Sequence, residues 1–186
     1  MNTITRSLVL MAFSCLLAGC MDKTGTANSD TSPAAARPAK EDPNAINAPI
    51  APEAYKVTLS ITDAPALTSD GANATYQVQM KNEGSAAVYG AGTNAVNLGI
   101  IILGSDGTVD GPGGTREFIR VPLPLLSPGQ NATVPVTISS ESKLDGKIVR
   151  LATVQEGVAW HDASDTIDVG PFHIADGKFA EAPAAK

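Results

Sequence analysis

Three short runs place apolar and polar residues in strict alternation, and this constrains the fold more than any other feature of the chain. Val57, Leu59 and Ile61 alternate with Thr58, Ser60 and Thr62, and Tyr76, Val78 and Met80 alternate with Gln77, Gln79 and Lys81. Ala132, Val134, Val136 and Ile138 alternate with Thr133, Pro135 and Thr137. Side chains on a strand point to opposite faces in turn, so period two predicts strands with one face buried and one wet. Residues 98–103 form a nearly continuous, Ile-rich apolar run, which predicts a central strand with both faces covered. Residues 147–154 and 166–174 predict two more strands. Pro135 lacks an N–H to give to a ladder, so its strand belongs at an edge or carries a bulge. Turn chemistry separates these runs, at Asp70-Gly71, Asn82-Glu83-Gly84, Asp106-Gly107, Ser127-Pro128-Gly129-Gln130, Asp145-Gly146 and Glu156-Gly157. Gly111-Pro112-Gly113-Gly114 reads as a mobile loop. About seven short strands with no helical periodicity predict an all-β sandwich over residues 54–175. Aromatics make up only 4% of the chain, so its core is aliphatic.

The flanks have a different texture. Arg6 precedes a short apolar run at residues 8–17, well under the roughly 20 residues that span a bilayer. It fits a secretory signal peptide over residues 1–19. The run ends in Leu17-Ala18-Gly19-Cys20, which resembles the lipobox of bacterial lipoproteins. That resemblance implies lipidation of Cys20 and attachment to a membrane through acyl chains such as palmitate; separately, no cofactor is expected. Met21 rather than Asp follows the cysteine, which by the same resemblance implies the outer membrane, with the face left open. Cys15 lies in the segment to be removed, so the exported part is expected to carry no disulfide. Residues 20–53 are rich in Ala, Pro, Ser, Thr, Asn and Asp without apolar periodicity, and read as a flexible tether. About 33 such residues reach on the order of 30 Å. Residues 176–186 read as a frayed tail.

Loss of the signal removes only Arg6 among charged side chains, leaving 12 Lys and Arg against 19 Asp and Glu. An acidic chain without a basic run is a poor partner for nucleic acid or for anionic lipid.

Three segments carry a second resemblance. They are Asn94-Ala95-Val96-Asn97-Leu98, then Val121-Pro122-Leu123-Pro124 leading to Leu126-Ser127-Pro128-Gly129, and Val154-Gln155-Glu156-Gly157-Val158-Ala159-Trp160. In order and spacing they resemble an immunoglobulin-like module attached to bacterial glycosyltransferases, methyltransferases and other surface-glycan proteins. The resemblance covers roughly residues 55–174 and implies an immunoglobulin-like β-sandwich in an accessory role. Ile100 and Ile102 stand where the family tends to place aromatics, and His161 stands where another aromatic commonly follows the tryptophan.

The candidate ligand-binding residues are Trp160, His161 and Asp162. An indole stacks on a sugar face, and its polar neighbours suit hydroxyl groups. The competing reading puts Trp160 in the sandwich core, which the scarcity of aromatics favours. No metal site is expected. One histidine beside loop carboxylates falls short of the three or four ligands of a zinc site. The aspartates at 106, 110, 162, 165 and 168 read as turn and surface residues. Gly-x-Ser-x-Gly, His-Glu-x-x-His and P-loop patterns are absent, and no catalytic residue is assigned. The expectation is a lipid-anchored, non-enzymatic envelope protein that binds another envelope component. Its alternatives are a carbohydrate-binding accessory module acting at Trp160, and a protein-interaction or assembly factor. Oligomeric state is left open.

Overall fold

The computed structural model describes residues 42–185. Cys20, the signal peptide of residues 1–19 and the tether up to residue 41 lie outside the described residues. No helix among the described residues is long and apolar enough to cross a membrane.

Two antiparallel sheets face each other. The first holds β1 (Val57–Ile61), β2 (Ala66–Leu67), β3 (Asn73–Asn82) and β6 (Asn131–Ser139), with β3 central between β1 and β2 on one side and β6 on the other. The second runs β5 (Thr115–Pro122), β4 (Val96–Ile102), β7 (Val149–Gln155), β8 (Ala159–His161), with β9 (Ile167–Val169) also on β7. A two-stranded ribbon, β10 (Ile174–Ala175) and β11 (Lys178–Phe179), follows. Splitting the chain between sheets in this order gives an immunoglobulin-type sandwich.

The alternating runs behave as their period demands. In β3, Ala74, Tyr76, Val78 and Met80 are buried while Gln77, Gln79 and Lys81 are exposed. In β6, Val134, Val136 and Ile138 are buried. They meet Val96, Leu98, Ile100 and Ile102 of β4 and Val149 and Leu151 of β7 in one inter-sheet core. Every residue of β4 is buried, as its continuous apolar run predicts. Its outward residue Ile101 joins Leu103 and Ala152 in a second, smaller cluster on the outside of the second sheet, under Val109 and Trp160. Pro135 stays in register opposite Gln77, on a strand whose only partner among the described residues is β3. It is therefore an edge proline without a bulge.

Several boundaries move. The strand expected across residues 166–174 stops at Val169, because Gly170 turns to φ +114° before Pro171. Strand β5 was not expected at all. The loop before it is closely bonded rather than loose: Gly104 donates to Thr108 O at 2.8 Å, Ser105 to Pro112 O at 3.0 Å and Gly114 to Gly111 O at 2.9 Å. The tether ends earlier than residue 53. Ile46 donates to Ala91 O and accepts from Asn94 N, both at 2.8 Å, Asn47 Oδ1 accepts from Thr93 N, and Ile50 packs on the core. Gly92 makes this docking possible, since a Cβ there falls 2.3 Å from Ile46 O.

The frayed tail is also corrected. Phe179 is buried against Phe172, their ring centroids 5.6 Å apart. The buried Tyr76 hydroxyl donates to Pro183 O at 3.0 Å, and Gly170 N donates to Ala184 O at 2.9 Å. Small residues hide this anchoring in the sequence, because the tail is held mainly through its backbone.

Candidate functional site

Strand alternation separates the three candidate residues. In β8, Trp160 pairs across Val154 and His161 across Thr153, so they lie on opposite faces of the second sheet. Trp160 is outside the sandwich, half-buried, rather than in the inter-sheet core that its rarity suggested. Room for the indole comes from Gly99 of β4: a Cβ there would lie 2.5 Å from the ring. Two guanidinium groups flank the indole, Arg120 at 4.6 Å and Arg116 at 5.9 Å from the ring centroid. Such cation–π contacts hold an exposed aromatic in one orientation.

Each arginine on this face meets a carboxylate. Arg116 bonds Asp110 and Asp162, both at 2.8 Å. Arg120 Nε donates to Glu156 Oε1 at 2.8 Å, and Asn97 donates to the same oxygen at 2.9 Å. Arg150 makes a two-pronged pair with Asp168 at 2.7 and 2.8 Å. The neighbouring acids raise the pKa of Arg116 and Arg150 still further, chiefly through the hydrogen bonds these arginines donate to Asp110 and Asp168 respectively. Among the described residues, these three are the only arginines. Trp160 and Asp162 thus belong to one ion-paired face of three arginines and four carboxylates.

Arg120 has a further task. Between the pairs Gly99↔Arg120 and Ile101↔Arg116, three residues of β5 oppose one of β4. The resulting bulge exposes carbonyls, and Arg120 Nη1 donates to Glu117 O at 2.6 Å and Ile119 O at 3.1 Å. Bulging and capping together blunt this sheet edge.

His161 points the other way. Its ring stacks on Tyr55 with centroids 3.8 Å apart and planes 13° apart, and its buried Nε2 has no hydrogen-bond partner. The Tyr55 hydroxyl donates to Thr153 Oγ1 at 2.6 Å, and burial pushes its pKa up to about 12. Burial lowers the His161 pKa, with the nearby Asp162 charge opposing in part. A histidine held neutral in the fold but free to protonate when unfolded destabilises the fold in acid. Its contribution is intact above the unfolded value of about 6.5 and is lost as pH falls from there through the lower folded value. Chemical denaturation at pH 7.5 and 5.0 is expected to show this loss, and His161→Phe to remove that part of the pH dependence. An unchanged pH profile in the variant contradicts the assignment.

The sequence reading missed Arg116, Arg120, Arg150 and Asn97, and read Glu156 as a turn residue. Their signal was parity: 116 and 120, like 150 and 154, are an even number of residues apart. It also passed over a spacing. Asp106, Thr108, Asp110, Gly111 and Glu117 fall at the first, third, fifth, sixth and twelfth places of a calcium-loop pattern, with Thr at the third. The side chains do not converge. Asp106 accepts from Thr108, Asp110 pairs with Arg116 and Glu117 with Lys143. Among the described residues no three His, Cys, Asp or Glu side chains gather as a metal site.

Fold and site together define a β-sandwich module whose outer sheet face carries an indole among ion-paired arginines. No family model matches the chain, and no curated protein matches it. Similar solved structures include β-glucosidase 3B from Thermotoga neapolitana, at 15% identity over 71% of this chain and 17% of that one, with a TM-score of 0.35. A β-glucosidase from Listeria innocua is 14% identical over 76% of this chain and 20% of its own, with a TM-score of 0.34. One from Kluyveromyces marxianus is 12% identical over 71% and 15%, with a TM-score of 0.36. The chain spans a fifth or less of the length of these enzymes.

Proposed function

We propose that this chain is a non-enzymatic protein of the bacterial cell envelope, anchored at the outer membrane by lipid on Cys20, whose sandwich binds another envelope component through the Trp160 face. The observation that carries this reading is the placement of Trp160. The indole lies outside the inter-sheet core, half-open over the Ile101, Leu103 and Ala152 cluster, steadied by two arginines and bordered by Asp162 and Glu156. Part-open aromatic area beside planar donors and carboxylates suits a glycan, whose ring C–H faces stack and whose hydroxyls pair with charged groups. Assembly by strand addition has less support. The β5 edge is bulged and capped by Arg120, and the β6 edge carries Pro135.

Trp160 is the only tryptophan, so emission reports on this face alone. Titration with envelope oligosaccharides is expected to shift the emission. Trp160→Ala, followed by calorimetry, is expected to weaken binding about tenfold, the equivalent of about 1.4 kcal/mol of lost stacking. Cys20→Ser is expected to move the protein from the membrane to the soluble fraction. Emission that ignores every glycan offered, or binding that survives Trp160→Ala, counts against the site. Membrane association in Cys20→Ser counts against the anchor.

A further inference from the structure

The opposite face of the sandwich carries a different chemistry. Outward residues of β1, β3 and β6 align in rows across three strands: Ser60, Gln79 and Thr133 form one, and Thr58, Lys81 and Asn131 the next. Neighbours within a row are about 4.8 Å apart and rows about 6.7 Å apart, as strand geometry requires. Together these six residues line a shallow depression of about 370 Å³. Farther along the face polar side chains satisfy each other, Thr75 with Thr137 at 2.9 Å and Asn73 with Ser139 at 2.8 Å. In the depression Lys81 is tied to Glu83 at 2.9 Å, and the hydroxyls and amides of the other five are left for a ligand or solvent.

Charge decides what fits. Residues 42–185 hold eight Lys or Arg against sixteen Asp or Glu, so the domain repels polyanions. The depression itself contains no carboxylate to attract a cation, and its single lysine is already paired. A lattice of neutral donors and acceptors, whose one charge on Lys81 is offset by Glu83, is complementary on an acidic domain to an uncharged, hydroxyl-rich chain. We infer that the outer face of the first sheet is a second binding surface, for a neutral polysaccharide laid across β1, β3 and β6. It extends the glycan reading of the protein but uses none of the Trp160 face, so each can fail without the other.

The test is affinity electrophoresis of the purified full-length protein in gels containing dextran, soluble starch or hydroxyethyl cellulose, with alginate as the anionic control. Retardation is expected in at least one neutral polymer and not in alginate. The double variant Ser60→Glu, Thr133→Glu brings two carboxylates to exposed positions separated by β3 and is expected to raise the apparent dissociation constant at least tenfold at an unchanged melting temperature. Trp160→Ala is run in parallel, so that retardation lost in the double variant and retained in Trp160→Ala is assigned to the first sheet. No retardation in any of the three neutral polymers overturns the inference, as does retardation that survives the double variant. Retardation abolished by Trp160→Ala alone overturns it too, and moves the binding to the other face.

Discussion

Replacing Asn82 by alanine is expected to cost about 2 kcal/mol, an effect out of proportion to the few atoms removed. Asn82 closes β3 and is fully buried. Its Nδ2 donates to Ala86 O at 2.8 Å and to Leu126 O at 2.9 Å, and its Oδ1 accepts from Gly84 N at 3.0 Å. One amide therefore ties the loop after β3 to the segment before β6, where Val88 and Leu126 form their own bridge. Alanine leaves Ala86 O without its partner at a cost of about 1–3 kcal/mol, and weakens two sites that keep a second bond, Gly84 N to Lys56 O and Leu126 O from Val88 N. Asn82→Asp is expected to be worse, because it sets a carboxylate oxygen against the two carbonyls that Nδ2 now serves. Urea denaturation checks both, with Gln77→Ala as control. Gln77 is exposed on the same strand, and its loss is expected to fall within about 0.5 kcal/mol. If Asn82→Ala behaves like the control, the loop is held by something else.

Asn82 also marks the limit of what the sequence discloses. The inside-out pattern of β1, β3 and β6 is legible because one face is core and the other water. The same pattern, carried one period past Met80, assigns residue 82 to the core face and leaves a polar residue there. What it bonds depends on a loop returning from forty residues away. Strand β5 is illegible for another reason. Arg116 and Arg120 keep one parity, but Glu117, Phe118 and Ile119 bulge out between them and scramble any period of two. Trp160 was misplaced because its neighbour β7 is buried on both faces, so apolarity alone could not tell inside from outside. The turn between β7 and β8 held the answer. Gln155 pairs with Ala159, which puts Trp160 beside Val154 and hence on the face of Arg150 and Ala152. The partners of that indole, Gly99 and the two arginines, come from β4 and β5, and only the folded sheet brings them together.

The tail offers the second large effect. A chain ending at Ala175 is expected to lose several kcal/mol, where a frayed end would lose nothing. Phe179, buried beside Phe172, contributes about 2–3 kcal/mol by leaving water. Tyr76 adds to this. Its hydroxyl lies in the core, where burial drives its pKa well above the usual tyrosine value, and its hydrogen-bond acceptor is Pro183 O. Without the tail that hydroxyl is stranded among aliphatic side chains, at a further cost of about 1–3 kcal/mol. Strand β9 also loses the bridge between Val169 and Ala185. These terms can be separated. Tyr76→Phe in the full chain removes the hydroxyl without stranding it and is expected to cost only about 1 kcal/mol. Added to the truncated chain, the same change is expected to restore stability, since it deletes the orphaned group. That reversal of sign distinguishes a tail that caps a buried polar atom from one that merely covers surface. If Tyr76→Phe destabilises both chains equally, the bond to Pro183 does not contribute, and the tail acts through Phe179 alone.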